Sequence, residues 1–158
     1  GFFNHPEKEC TCPPGAVQKY LNKISGPLLD RIDLHVEVTP VAFSELQSTQ
    51  QFEKSDSIRE RVIKARNIQE ERYKASEGVY ANAQMSSKQL KEICVISTAG
   101  QNLLKVAMEK LNLSARAYDR ILKVSRTIAD LAASEDIKPE HLAEAIQYRS
   151  LDREGWGA

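Results

Sequence analysis

The chain is 158 residues long, with Lys plus Arg and Asp plus Glu balanced at 22 each and 41% apolar residues. That balance gives no global reason to expect a nucleic acid or a membrane surface as a partner, and no apolar run approaches the ~20 residues needed to span a bilayer. Three cysteines are an odd, sparse set, and the first residues, GFFNHPEKEC, are too polar for a signal-peptide core. Together these features predict a protein of a reducing, cytoplasmic compartment without a disulfide framework.

Residues 1–15 hold Pro6, Pro13, Pro14, Gly15 and the pair Cys10 and Cys12, with no usable periodicity, and read as loop. Val17, Tyr20, Leu21 and Ile24 lie at helical spacing and predict a short helix from Ala16 to Ile24, ended by Gly26-Pro27. Next comes a strict alternation: Ile32, Leu34, Val36 and Val38 are apolar, while Asp33, His35 and Glu37 are polar. This predicts a strand over 32–38 with one buried face, closed by Pro40. Residues 41–56 are polar and read as a connection. From Ser57 to Ala75 a long, highly charged helix is expected, with a thin apolar stripe of Ile58, Val62, Ala65 and Ile68 or Gln69.

After Gly78 the composition changes and four shorter helices follow. Serines suited to N-capping open the first, SSKQLKEICVI. Leu103, Leu104, Val106 and Ala107 pattern the second. LSARAYDRILKVSRTIADLAASE is the most amphipathic, and KPEHLAEAIQYRS carries Pro139 in its first turn, with Leu142, Ala145, Ile146 and Tyr148 or Arg149 as its core stripe. Cys94, among Ile93, Val95 and Ile96, reads as core. The tail 151–158 reads as frayed. The fold class is therefore mainly α: a helical bundle over 79–150, a connector over 41–78, and a remnant of an α/β unit over 1–40. A lone strand needs a sheet, so its neighbours are expected in further sequence of a longer polypeptide.

Two arginine positions have the chemistry for phosphate. On a helical wheel Arg116, Arg120 and Lys123 fall within about 60° of one another, opposite Tyr118, Ile121, Leu122, Ser125, Ile128, Ala129 and Ala132, and Arg126 lies about 60° further round. Such a stripe is either a solvated face or an anion site. Arg116 stands out because it sits in the first turn after Ser114, where the helix dipole and the guanidinium both favour an anion. Arg31, introduced with Asp30 just ahead of the alternating segment, is either an ion-pair partner of Asp30 or Asp33 or a guanidinium presented outward from a stiff strand entry. Cys10-Thr11-Cys12 with His5 nearby is either two loop thiols or half of a zinc site, since two thiols and one imidazole do not fill a tetrahedral shell. No Gly-Lys-Ser/Thr phosphate loop, Gly-x-Gly-x-x-Gly, His-Glu-x-x-His or nucleophile elbow occurs.

The blocks CTCPPGAVQKYLNKISGPLLDRIDLHVEV and LNLSARAYDRILKVSRTIADLAASEDIKPEHLAEAIQYR resemble the C-terminal part of the magnesium-chelatase-like AAA+ ATPases of the ComM/YifB type. The resemblance implies the end of an AAA+ core followed by a helical lid, with the phosphate loop lying upstream. It makes Arg31, within LLDRID, the arginine finger that serves a neighbouring subunit's nucleotide, and Arg116 the sensor 2 arginine; Arg120 and Lys123 are further anion-binding candidates. It also implies ATP and Mg2+ in the full-length protein, a homo-oligomeric hexameric ring, and DNA as the partner acted on, as in branch migration during transformation. An upstream Cys-Pro-Cys of the family would complete a four-thiolate zinc set with Cys10 and Cys12; no metal and no cofactor are expected in this stretch by itself, nor ATPase activity. Two other readings are a chelatase motor subunit and a stand-alone helical interaction module.

Overall fold

The computed structural model describes residues 1–3, 5–38, 40–41 and 52–149. Seven helices form among them: α1 (Ala16–Leu21), α2 (Gly26–Leu29), α3 (Ser55–Tyr73), α4 (Ser87–Ile93), α5 (Thr98–Lys110), α6 (Ala115–Leu131) and α7 (Pro139–Gln147), with a 3-10 turn at Asn82–Gln84. The tail expected over 151–158 and most of the connection over 41–56 lie outside the described residues.

The caps explain where the bundle helices start. Ser86 Oγ accepts the Gln89 N–H while Gln89 Oε1 accepts the Ser86 N–H, a reciprocal pair that satisfies two donors at the start of α4. Ser97 caps α5 and Ser114 caps α6 in the same way, by accepting from the third residue on. Pro139 occupies the first turn of α7, where a missing N–H costs nothing, and His141 Nδ1 accepts the Lys138 N–H at 3.1 Å. At the far end of α6 the N–H of Ser134 returns to the Ala129 carbonyl and that of Ala133 to Asp130. This Schellman closure puts Ala133 at φ 51, a left-handed position usually taken by glycine.

α6 is the central helix, packed against α7, α3, α4 and the 3-10 turn, while α5 packs on α7. The core joins Leu90, Cys94, Leu104, Ile121, Leu122, Ala129, Ile137, Leu142 and Ala145 with Tyr73 and Met85. Each large aliphatic side chain buried there contributes about 1.5–3 kcal/mol. Cys94 belongs to this core, as its apolar flanks predict. Gly100 lets α5 approach α7 closely, since a Cβ there would stand 2.8 Å from Leu142 Cδ1. A single parallel bridge, Ile96 to Ile137, ties together the segments that lead into α5 and α7.

α3 fits the bundle along only part of its length. Ala65, Gln69 and Tyr73 are buried, whereas every residue from Ser55 to Lys64 is exposed. The first turns therefore project from the bundle, and Ile58 and Val62 continue the packed stripe into solvent.

The N-terminal segment departs from its pattern. Among the described residues 32–38 form no strand: the segment is irregular and pairs with no other strand. The expected apolar face is not buried: Leu34, Val36 and Val38 are exposed, Glu37 is exposed with them, and His35 is the one buried residue of the segment at 5% exposure. Period-two patterning specifies which residues share a face, but a sheet must be present to bury the apolar one. In its absence the segment lies on the helical bundle, where the His35 N–H donates to the Tyr148 carbonyl at 2.7 Å. Gly26-Pro27 likewise does not break the chain; it opens the helical turn α2, with Pro27 in the first-turn position.

Candidate functional site

Arg31 follows α2 rather than entering a strand. Its side chain is exposed and folds back so that Nη1 donates to the Pro27 carbonyl at 2.5 Å. Neither Asp30 nor Asp33 is its ion-pair partner among the described residues. Asp33 is taken instead by Arg120, at 2.5 Å between Nη1 and Oδ1. Arg31 is thus exposed and held by one backbone acceptor among the described residues.

Arg116 is the second residue of α6, immediately after the Ser114 cap. It is exposed, and among the described residues it makes no hydrogen bond or ion pair. The first-turn N–H groups and this guanidinium lie together at the positive end of a 17-residue helix.

The rest of the basic stripe is engaged. Arg120 holds Asp33, and Lys123 Nζ donates to the carbonyls of Ala83 and Met85 at 3.0 and 2.8 Å, closing the open end of the 3-10 turn. The wheel placed both opposite the core, free either for solvent or for an anion; the packing of the loop and of the 3-10 turn against that face occupies them. Tyr118, expected on the core side, is 39% exposed.

Arg126 is a further correction. It is buried, with Nε donating to Asp130 Oδ1 at 3.1 Å and its two other nitrogens donating to the carbonyls of Glu135 and Ser134. Asp130 also receives both terminal nitrogens of Arg72, at 2.7 and 2.5 Å, and the Asn82 amide at 2.7 Å. Asn82 in turn accepts from the Tyr73 hydroxyl and from Arg72. One carboxylate therefore joins α3, the 3-10 turn and α6, and its hydrogen bonds raise the Arg72 pKa further above its ordinary value. Burial raises the Tyr73 phenol as well. Arg126 and Asp130 stand four residues apart at the edge of the core-facing side of α6, the only trace of this network in the sequence.

Arg149 is 1% exposed and donates through Nη1 to the Ile32 carbonyl. Of the two residues expected to finish the α7 stripe, it is the one enclosed.

Cys10 and Cys12 flank Gly1, where an added Cβ would come within 3.1 Å of Cys10 Sγ and closer still to Cys12 Sγ, so a side chain there would displace the thiols. Backbone N–H groups of Cys12 and Phe2 point at the Cys10 sulfur and lower its pKa. His5 Nδ1 accepts the Glu7 N–H. No group of three His, Cys, Asp or Glu residues is placed to share a metal ion among the described residues, so these two thiols fit half a zinc shell and no more.

A helical bundle joined to an extended arginine-bearing loop defines a class, and the comparisons with known proteins agree on it. The magnesium chelatase subunit ChlI C-terminal model matches residues 52–149, and the magnesium chelatase subunit ChlI model matches residues 1–46. The chain belongs to this magnesium-chelatase-like family. Within it, the chain is similar to the competence protein ComM of Haemophilus influenzae, 45% identical over 141 residues, which are 89% of this chain and 27% of that protein. It is also similar to the YifB proteins of Salmonella typhimurium and Escherichia coli strain K12, each 37% identical over 143 residues, 90% of this chain and 27% of each relative. The chain thus spans about a quarter of the length of these relatives. No helix among the described residues is long and apolar enough to cross a membrane.

Proposed function

We propose that this chain supplies the arginine finger and the sensor lid of a hexameric AAA+ ATPase, an ATP-driven motor acting on DNA. The observation that carries the reading is which arginines are left available. Arg72, Arg120, Arg126 and Arg149 are engaged within the fold, whereas Arg31 and Arg116 are exposed; Arg59, Arg61 and Arg66 of α3 are exposed as well, and it is the family resemblance that sets Arg31 and Arg116 apart from them. Phosphoryl transfer needs positive charge where negative charge develops. In this reading Arg31 leaves the Pro27 carbonyl to serve the nucleotide of a neighbouring subunit, and Arg116 serves the nucleotide at the lid, coupling lid position to the state of the γ-phosphate. ATP with Mg2+ is the substrate, bound mainly by a phosphate loop that these 158 residues do not contain. DNA as the polymer acted on is carried over from the family resemblance, and the similarity to a relative named a competence protein supports it. The family description names magnesium chelatase and favours one alternative, a motor for inserting a metal ion into a porphyrin.

The test uses the full-length protein. Arg31→Ala should retain ATP binding and lose about 10³–10⁵ in hydrolysis, the usual value of an arginine finger. Mixing it with a subunit defective in its phosphate loop should restore part of the activity, at interfaces that pair an intact finger with an intact loop. Arg116→Ala should lower both affinity and turnover. Wild-type hydrolysis by Arg31→Ala in an assembled ring defeats the finger reading. Hydrolysis that does not change on addition of duplex or branched DNA defeats the DNA reading.

A further inference from the structure

We propose that Arg120 and Asp33 form a latch that positions the Arg31 loop on the lid helix, so that Arg31 and Arg116 move as one frame. This rests on the finger reading above and adds residues that the reading does not use. Asp33 lies two residues beyond Arg31, and Arg120 lies one turn beyond Arg116 on α6. Their carboxylate and guanidinium meet at 2.5 Å. Two further contacts hold the same stretch of backbone: enclosed Arg149 donates to the Ile32 carbonyl, and the His35 N–H donates to the Tyr148 carbonyl. The buried side chains of Leu29 and His35 fix the loop on either side.

The loop base is therefore fastened at three points to α6 and the end of α7, while the Arg31 guanidinium has one backbone acceptor, Pro27. A fixed base with a releasable tip is what an arginine acting at a distance needs. A displacement of α6 that follows contact at Arg116 is carried to the Arg31 loop through the Arg120–Asp33 pair. The pair is partly solvated, with side chains 33% and 45% exposed, so its worth to global stability is about 0–1 kcal/mol. Its worth to geometry is larger, since a misplacement of about 1 Å in a reacting constellation costs about 100-fold. Arg120 and Asp33 are positioning residues that touch no nucleotide themselves.

The experiment compares Arg120→Asp, Asp33→Arg, the charge-swapped double variant and the milder Arg120→Gln with Arg31→Ala, all in the full-length protein. Steady-state ATP hydrolysis and thermal unfolding are measured for each. Each single variant should lower kcat by about 10- to 100-fold, with KM for ATP within about twofold. The midpoint of unfolding should move by only a few degrees, as for a loss of about 1 kcal/mol. The swapped pair should recover most of kcat, which a contact serving only stability would not predict. In the 158-residue chain, Arg120→Gln should speed hydrogen exchange at the His35 amide and leave the amides of α6 unchanged. Wild-type kcat in the single variants, or no recovery in the swap while Arg31→Ala is impaired, overturns the latch and leaves the finger standing. Wild-type kcat in Arg31→Ala overturns both. An unchanged His35 amide in Arg120→Gln overturns the latch on structural grounds alone.

Discussion

The bundle over residues 65–149, which includes the packed end of α3, and the segment over residues 1–41 respond differently to the same chemistry. In the bundle nearly every polar group that leaves water finds a designated partner: Asp130 collects Arg72, Arg126 and Asn82, and Ser125 Oγ donates to the Ile121 carbonyl. In the N-terminal segment the apolar side chains of Leu28, Leu34, Val36 and Val38 are exposed, and the chain is held by a few backbone hydrogen bonds, the Arg149 side chain, one ion pair and the buried side chains of Leu21, Leu29 and His35. The bundle is stabilised by its own inventory. The segment borrows its order from the bundle, which leaves Arg31 accessible on a loop that packing has not consumed.

The sharpest way to break this contrast is at Asp130. Asp130→Ala leaves buried Arg126 and partly buried Arg72 without their shared carboxylate and should cost the chain about 3–5 kcal/mol, measured by denaturant unfolding. A loss below about 1 kcal/mol would mean that apolar packing alone holds α3 to α6.

The thiols give a second contrast. Burial pushes the Cys94 thiol up to about 11, from its ordinary value of 9.0, and its S–H donates to the Leu122 carbonyl. Because the folded pKa lies above the unfolded one, this contribution to stability is fully present below pH 9 and is lost as pH rises from about 9 to about 11. Unfolding midpoints across that window should fall for the wild-type chain and fall less for Cys94→Ala. At neutral pH an alkylating reagent should modify Cys10, whose pKa is lowered, well before Cys94. Equal rates at the two sites, resolved by mass spectrometry, would show that the core opens as readily as the loop.

A smaller effect is expected at the Schellman closure of α6. Ala133→Gly relieves a left-handed backbone at φ 51 and should gain about 0.5–1 kcal/mol, after the extra unfolded-state entropy of glycine is subtracted. The smallest belongs to Val36, which is 67% exposed. Val36→Ser should change the stability of this chain by no more than about 0.5 kcal/mol. A larger loss would show that the outward face of the segment is covered.

The sequence alone determined the elements whose causes are local. Ser86, Ser114 and Pro139 mark helix starts because capping acts over three residues, and the stripes of α6 and α7 identify Ile121, Leu122, Ala129, Leu142 and Ala145 as core because helical period is a property of the backbone. It also carried the family, through two long distinctive blocks. What only the tertiary structure decided depends on partners far away in the chain. Arg72 meets Asp130 across 58 positions, Asp33 meets Arg120 across 87, and Arg149 meets Ile32 across 117, separations at which no periodicity reports a contact. The alternation over 32–38 did not become a strand, because a ladder needs a second backbone and, among the described residues, the segment meets only the helical bundle. The same rule applies to the arginines of α6: their spacing was written in the chain, but packing against distant residues determined that Arg120 and Arg126 are engaged while Arg116 is exposed.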